Sequence, residues 1–157
     1  MSIFDPQAFL NATVDTPSVK RPPLPAQNPA SPDGLYIGIL SEPVPKQWSS
    51  KDQTKSGVKM DVSITVDVPA EVQQSHGLPP TVVLFDSIML DQLPNGGIDN
   101  SPGKNRRMRV YREAVDMNKP GDAFAFRMLT GRPVKVKVDH ELYNGEIQER
   151  VGNVLRA

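Results

Sequence analysis

Apolar and polar residues alternate most regularly near the end of the chain. The apolar positions are Val134, Val136, Val138 and Leu142. The polar positions between and beyond them are Lys135, Lys137, Asp139 and Glu141. A period of two is typical of a β-strand with one buried face. The pattern therefore predicts a strand whose valine face, with Leu142, packs on the rest of the protein.

The dipeptide Asn144-Gly145 follows this strand and predicts a tight hairpin. A type I′ turn needs positive φ at both central residues, which asparagine and glycine tolerate. Folding the chain about this turn places Leu142 opposite Ile147 and Val138 opposite Val151. Asp139 then faces Arg150. Because apolar residues meet apolar residues and opposite charges meet, this register is self-consistent.

Three further strands are predicted upstream. Residues 35–40 form a short apolar run, and Pro43 and Pro45 then bend the chain or place it on a sheet edge. Residues 59–68 alternate clearly, and the side predicted to be buried is Met60, Val62, Ile64, Val66 and Val68. Residues 81–90 are almost continuously apolar, which predicts a strand buried on both faces. Residues 73–80 are interpreted as a loop.

A helical segment separates the third strand from the terminal hairpin. Met108, Tyr111 and Val115 share one helical face, which predicts a helix over residues 105–117. A short second helix is predicted from Asp122 to Leu129. The fold class is therefore mainly β, and the best match is a five-stranded barrel like the oligonucleotide/oligosaccharide-binding (OB) fold, with its helix between strands 3 and 4. Other small β-barrels are also compatible with this order.

The first 33 residues differ in composition from the remainder. They begin with Ile3, Phe4, Phe9 and Leu10 and then become rich in proline. The prolines are Pro17, Pro22, Pro23, Pro25, Pro29 and Pro32. Proline fixes φ and removes a backbone donor, so this segment is either an extended arm or a disordered tail. We divide the chain into an N-terminal arm, residues 1–33, and an OB-like barrel domain, residues 34–157.

Composition excludes several classes of function. Eighteen basic residues balance eighteen acidic ones, so no overall charge drives the protein toward nucleic acid. The absence of cysteine rules out disulfides and thiolate chemistry. No signal peptide and no run of about 18 apolar residues is present, so we expect a soluble, non-secreted protein without a membrane partner.

Candidate catalytic groups are equally sparse. His76 and His140 are far apart in the sequence and have no neighbours at metal-ligand spacing. His140 falls opposite Glu149 in the predicted hairpin, which favours a structural histidine–carboxylate pair. No Walker loop, nucleophile elbow or dinucleotide fingerprint is present. We expect no enzyme activity, no cofactor and no metal.

A cluster of cations precedes and enters the predicted helix. Five basic residues fall within nine positions: Lys104, Arg106, Arg107, Arg109 and Arg112. Cations in a first helical turn are mildly unfavourable because the N-terminal end of the macrodipole is positive. Their accumulation there favours a nearby anion, since helix N-termini also bind phosphate. The alternative, a solvated basic face paired with carboxylates from loops, is about equally compatible with the sequence.

Other residues extend this candidate nucleic-acid site. The additional cations are Lys135, Lys137, Lys51, Lys55 and Lys59. Trp48 and Tyr143 are predicted on the first–second and fourth–fifth loops, where OB folds stack bases on aromatic rings. A buried lid on the barrel is the alternative role for Trp48. Asp61 and Asp67 on the exposed side of the second strand make that side a poor stacking surface.

Several short motifs resemble those of one family. They are Gly96-Gly97-Ile98-Asp99, Gly103-Lys104-Asn105, Arg112-Glu113-Ala114-Val115, Pro120-Gly121, Phe124-Ala125-Phe126, Leu129-x-Gly131-Arg132-x-Val134-Lys135-Val136-Lys137-Val138, Phe9-Leu10-Asn11-Ala12 and Gln47-Trp48-x-Ser50-Lys51-Asp52. On these residues the chain resembles a family of small bacteriophage proteins described as single-stranded-DNA-binding or of unknown function. The resemblance implies an OB-like fold and a role with single-stranded DNA in phage replication or recombination, in the infected host cytoplasm.

Two functional hypotheses follow. The first is a non-catalytic phage protein that binds single-stranded DNA through the basic cluster. The second is a virion assembly protein that decorates or cements a capsid and binds neighbouring subunits or the capsid protein through residues 1–33. Under either hypothesis we expect a homo-oligomer or a component of a larger assembly. Composition alone favours the second hypothesis, and the resemblance favours the first.

Overall fold

A computed structural model describes residues 4–157, and the predictions on residues 1–3, including Ile3, lie outside it. The described chain folds into one antiparallel sheet of six strands with three α-helices and one 3₁₀ helix, Phe126–Leu129. The helices are α1 (Pro6–Asn11), α2 (Ala70–His76) and α3 (Arg106–Ala114). The strands are β1 (Tyr36–Leu40), β2 (Val44–Ser49), β3 (Ser56–Asp67), β4 (Thr81–Met89), β5 (Pro133–Tyr143) and β6 (Glu146–Arg156).

The sheet is organised around β3, which pairs with three other strands. β4 pairs with residues 59–67 of β3, so β1 and β2 must share the opposite edge. Leu40 faces Ile64 and Val44 faces Asp61, so the registers of β1 and β2 differ by one residue. The chain bends between them at Pro43, since proline cannot donate a ladder hydrogen bond. The prediction of five strands counted one strand before β3, and the structure has two.

The terminal hairpin has the predicted register. Val138 pairs with Val151 and Leu142 with Ile147, and the turn residues Asn144 and Gly145 have φ of 50° and 78°. The predicted burial of Leu142 is wrong. This residue is 73% exposed, because the last turn of the hairpin projects beyond the core and leaves the valine face behind.

Two other local predictions are corrected by the structure. β4 was expected to be buried on both faces, but its odd-numbered residues Thr81, Val83, Phe85 and Met89 are exposed. Its outer face therefore has no covering layer within residues 4–157.

The predicted loop over residues 73–80 contains most of α2, which begins after Pro69 and ends at Gly77 in a left-handed conformation. Val72 is the single buried residue of α2. The segment therefore has no apolar periodicity from which a helix could be predicted.

The core lies on the face of the sheet that α3 covers. Met108, Tyr111 and Ala114 of α3 are buried there and belong to the same buried cluster as the valines of β5 and β6. α3 contacts both β4 and β6, although these two strands do not pair with each other. The sheet is therefore open between β4 and β6. α3 is shorter than predicted, and the predicted helix after Asp122 is reduced to the 3₁₀ turn.

The second half of the arm packs against the terminal hairpin. Leu24 is fully buried, its backbone amide donates to Glu149, and its carbonyl lies 2.7 Å from Nε2 of His140. Arg21 also pairs with Glu149. His140 and Glu149 face each other as predicted, but each binds the arm instead of its cross-strand neighbour. Burial raises the pKa of Tyr36 to about 12, with the charge of Glu149 contributing.

Residues 4–19 of the arm make no hydrogen bond or ion pair with the rest of the described chain. Asp5 is the N-cap of α1, where its carboxylate accepts hydrogen bonds from two backbone amides, and α1 buries none of its residues. Large apolar side chains are exposed along this segment: Phe4, Phe9, Leu10, Val14 and Val19. None of the helices in the described part of the chain is long and apolar enough to span a bilayer.

Candidate nucleic-acid interface

The predicted cation cluster is divided between two faces of α3. Arg107 and Arg112 are partly buried, whereas Lys104, Arg106 and Arg109 are exposed. This division follows from the helical period, because residues 106 and 109 are one turn apart and residue 107 points about 100° away from 106. Only one face of the cluster is therefore available to a partner.

Arg107 is bound within the protein and links the two unpaired edges of the sheet. Its Nε and Nη2 donate to Asp86 of β4 at 3.0 and 2.7 Å. Nη2 also donates to the carbonyl of Val151 on β6 at 2.9 Å. The Tyr111 hydroxyl donates to the same carboxylate at 2.7 Å. Burial, reinforced by the charge of Asp86, raises the pKa of Tyr111 well above its ordinary value.

Arg112 has a second structural role at the end of α3. Its Nε donates to the carbonyl of Met117 at 2.9 Å, and its guanidinium lies 5.1 Å from the ring centre of Phe124. These contacts hold the turn that follows the helix. Arg107 and Arg112 thus stabilise the fold around the site, and their side chains do not point freely toward solvent.

Lys104, Arg106 and Arg109 form the exposed remainder, which we call the α3 cation group. Within residues 4–157 their side chains make no hydrogen bond or ion pair. The hydroxyl and amide of Ser101 and, more weakly, the charge of Lys104 lower the pKa of Asp99, so Lys104 acts on a nearby carboxylate without binding it directly. Within residues 4–157 the three side chains are therefore exposed and form no direct pair.

Asn105 fixes the position at which α3 begins. It is 1% exposed, and its side chain accepts from the amide of Asp91 at 2.9 Å and donates to the carbonyl of Asp99 at 2.7 Å. Its φ of 52° is left-handed, which asparagine adopts more readily than most residues. Asn105 thereby ties the start of α3 to the chain leaving β4.

The same end of the molecule carries the turn between β2 and β3. Leu90 donates to Val58 near the start of β3, so the chain leaves β4 beside that turn. Lys51 and Lys55 are exposed on the turn. Asp52 stabilises the turn, because its carboxylate accepts hydrogen bonds from the hydroxyls of Ser50 and Thr54. The same hydrogen bonds lower the pKa of Asp52 to about 2. Lys51, Lys55 and the α3 cation group therefore flank the residues that follow β4.

Trp48 lies in this region, but on a strand and not on the predicted loop. It pairs with Gly57, whose missing side chain makes room for the indole ring: a Cβ there would lie 2.9 Å from Nε1. Trp48 is half-buried and lines an open groove of about 450 Å³ with Gln47 and Gln92. Its Nε1 is buried and meets no acceptor within residues 4–157.

The other predicted lysines are engaged to different degrees. The ammonium group of Lys59 lies 3.3 Å from the carboxylate of Asp61. Asp61 also pairs with Lys46 at 3.0 Å. Lys46 and the Ser87 hydroxyl lower the pKa of Asp61. Lys135 donates to Asp33 at 2.9 Å, and the Ser31 hydroxyl and Lys135 hold the pKa of Asp33 well below its ordinary value. Lys137 is exposed and 3.7 Å from Asp139.

Two aromatic residues are exposed on the sheet. Tyr143 is the last residue of β5, so it lies on a strand beside the hairpin turn and not on the predicted loop, and it is 57% exposed. Phe85 of β4 is 77% exposed and lines an outer groove with Lys46, Lys59 and Asp61. Sequence reasoning missed Phe85 because a continuous apolar run does not show which strand face lacks a covering layer.

No three metal-ligating side chains come together in residues 4–157. The chain matches no family model, and a search of curated proteins found no match.

Proposed function

We propose that this chain is a non-catalytic bacteriophage protein that binds single-stranded DNA during replication or recombination in the infected host cytoplasm. The observation that carries the proposal is the α3 cation group, whose three charges are exposed and unpaired within the described residues. Lys51 and Lys55 extend the positive surface at the same end of the molecule. The resemblance of its motifs to those of phage single-stranded-DNA-binding proteins suggests the class of partner that we propose.

The strand arrangement supports an OB-like fold. When β1 and β2 are counted as halves of one bent strand, the order across the sheet is β4, β3, β1/β2, β5 and β6. The principal helix, α3, lies between β4 and β5, which are the third and fourth strands in chain order when β1 and β2 count as one. OB folds are partly open Greek-key barrels, and here α3 spans the opening through Arg107.

Binding of this type depends mainly on phosphate neutralisation. Each phosphate contacted on a single strand contributes about −0.7 to the slope of log K against log salt concentration. Trp48 in its groove and Tyr143 at the hairpin turn add base stacking, worth about 1–3 kcal/mol per base. Lys59, Lys135 and Lys137 contribute less, because each already lies near a carboxylate.

Fluorescence anisotropy with labelled oligo-dT at several salt concentrations tests the proposal. The triple variant Lys104→Glu, Arg106→Glu and Arg109→Glu should bind far more weakly. A conservative triple alanine variant should lower the magnitude of the salt slope by about 2, as expected for three lost phosphate contacts.

The matched control is Arg127→Glu. Arg127 is exposed on the 3₁₀ helix, beyond the C-terminal end of α3. This charge change should leave oligo-dT affinity within about twofold, because the residue lies outside the α3 cation group. Equal losses in both variants, or no salt-sensitive binding by the unmodified protein, would contradict the proposal.

A second function is favoured by the arm. Residues 20–33 of the arm are held on the domain, whereas residues 4–19 present five exposed large apolar side chains to solvent. Exposed apolar segments of this kind are typical of protein interaction sites. The alternative is therefore a virion assembly protein, located in the virion, whose arm contacts neighbouring subunits or the capsid protein.

Deletion of residues 1–19 separates the two functions. The truncated protein keeps Leu24 and Arg21, so it should fold and retain oligo-dT binding. Under the assembly function it should lose association with purified phage particles, measured by co-sedimentation. Retained co-sedimentation would exclude a role for this part of the arm.

A further inference from the structure

The free edge of β4 contains unused backbone hydrogen-bonding groups. β4 pairs with β3 on one side only. The amide of Val68 donates to the carbonyl of Pro80, and the amide of Leu90 donates to the carbonyl of Val58. These two hydrogen bonds show which residues along the β3–β4 ladder are hydrogen-bonded pairs. Even-numbered residues of β4 bond to β3, so the N–H and C=O groups of odd-numbered residues point away from it.

Only part of this edge is free. At Asp86 the edge is occupied, because Arg107 bridges that residue to the carbonyls of β6. The next outward amide, that of Ser87, is bonded to the Asp86 carboxylate at 2.9 Å. Thr81, Val83 and Phe85 remain, and their six outward backbone groups have no partner within residues 4–157.

We propose that the Thr81–Phe85 edge of β4 pairs antiparallel with the same edge of a second copy of this chain, forming a two-fold dimer. A two-fold interface must be self-complementary, and this segment meets that requirement. With Val83 opposite its own copy, Thr81 faces Phe85 of the partner subunit. All six outward backbone groups are then paired.

The side chains are also compatible with a second copy. Residues 81–85 carry no charge, so bringing two copies together creates no repulsion within the segment. Val83 is half-exposed and Phe85 mostly exposed, and both lie on the same outer face. In the dimer, Phe85 of each copy covers Thr81 and approaches Val83 of the other. Long, uncharged edge strands are the usual template for this kind of pairing. The proposal does not depend on DNA binding.

Disulfide trapping tests the pairing directly, because the natural chain has no cysteine. In the dimer, the Cα atoms of residue 83 in the two copies lie about 5.5 Å apart, within range of a disulfide. Mild oxidation of Val83→Cys should therefore give mostly covalent dimer.

Thr65→Cys is the matched control. Thr65 is exposed on β3 and pairs with Val83, one strand back from the edge. Its copies would lie three strand spacings apart, about 14 Å, too far for a disulfide. It should yield at least tenfold less covalent dimer. Equal yields from the two variants would overturn the proposal.

Sedimentation of the unmodified protein provides a second readout. At concentrations up to about 300 µM, suited to a small interface, the mass should approach twice 17.3 kDa. Val83→Pro removes an outward amide that β3 does not use, so it should fold and sediment at 17.3 kDa. Wild-type protein that stays monomeric over this range would overturn the proposal. If Val83→Pro fails to fold, the cysteine pair decides the question.

Discussion

Arg106 and Arg107 are neighbours in the chain and have opposite environments. Arg106 is exposed and belongs to the α3 cation group, whereas Arg107 holds Asp86 and two carbonyls of β6. The difference arises from the rotation of about 100° per residue in a helix. Adjacent residues of the same type can therefore have separate effects on binding and on stability.

Substitution of these two arginines should separate those effects. Arg107→Leu leaves the partly buried Asp86 carboxylate without its cation, which should lower the free energy of unfolding by about 2 kcal/mol. Arg106→Leu should change it by less than about 0.5 kcal/mol. Urea denaturation followed by circular dichroism measures both. Similar stability of the two variants would show that the link between β4 and β6 contributes little.

The terminal hairpin shows how one element passes from the core into solvent. Val134, Val136 and Val138 are buried, whereas Leu142 on the same face is exposed. At Gly152 the ladder contains a bulge, and the Asp139 carboxylate occupies the space that a Cβ on Gly152 would take. Beyond this point the two strands continue to pair as far as Tyr143 and Glu146, but the residues of β5 from His140 onward are exposed.

Two alanine substitutions on β5 test this transition. Val138→Ala removes two buried methyl groups and should lower the free energy of unfolding by about 2 kcal/mol. Leu142→Ala removes more apolar surface but at an exposed position, so its cost should be below about 0.5 kcal/mol. Thermal or urea unfolding distinguishes them. A larger loss for Leu142→Ala would mean that the hairpin end is covered in solution, by a partner or by a second copy.

On the scale of the whole molecule, the arm has two functionally distinct halves. Residues 20–33 complete the core through Leu24 and bind the hairpin through the ion pair of Arg21 with Glu149. Residues 4–19 remain available for a partner. The docked residues of the arm therefore contribute to the stability of the domain. They also attach the exposed residues 4–19 to the domain beside the terminal hairpin.

A matched pair of leucines tests this division. Leu24→Ala should destabilise the protein by about 3 kcal/mol, because Leu24 is fully buried. Leu10→Ala, at a position 75% exposed, should change the free energy of unfolding by less than about 0.5 kcal/mol. Urea titrations of both variants give the comparison. Equal effects would argue that the arm does not dock as described.

Local patterns were sufficient to predict many of the elements. The period-two alternation located β3 and β5, and Asn144-Gly145 set the hairpin register, because strand period and turn geometry depend on residues close together in the chain. The helical face of α3 was likewise visible. The α3 cation group was identified only as part of a larger cluster, since partners such as Asp86 lie more than 20 residues away.

The sequence by itself determined five of the six strands, the hairpin turn and the main helix, because each depends on local backbone preference and residue spacing. Only the tertiary structure decided which side chains are free. The exposure of Phe85, the burial of Leu24 and the engagement of Arg107 each depend on segments distant in the chain. Long-range packing sets those contacts, and no local pattern encodes them.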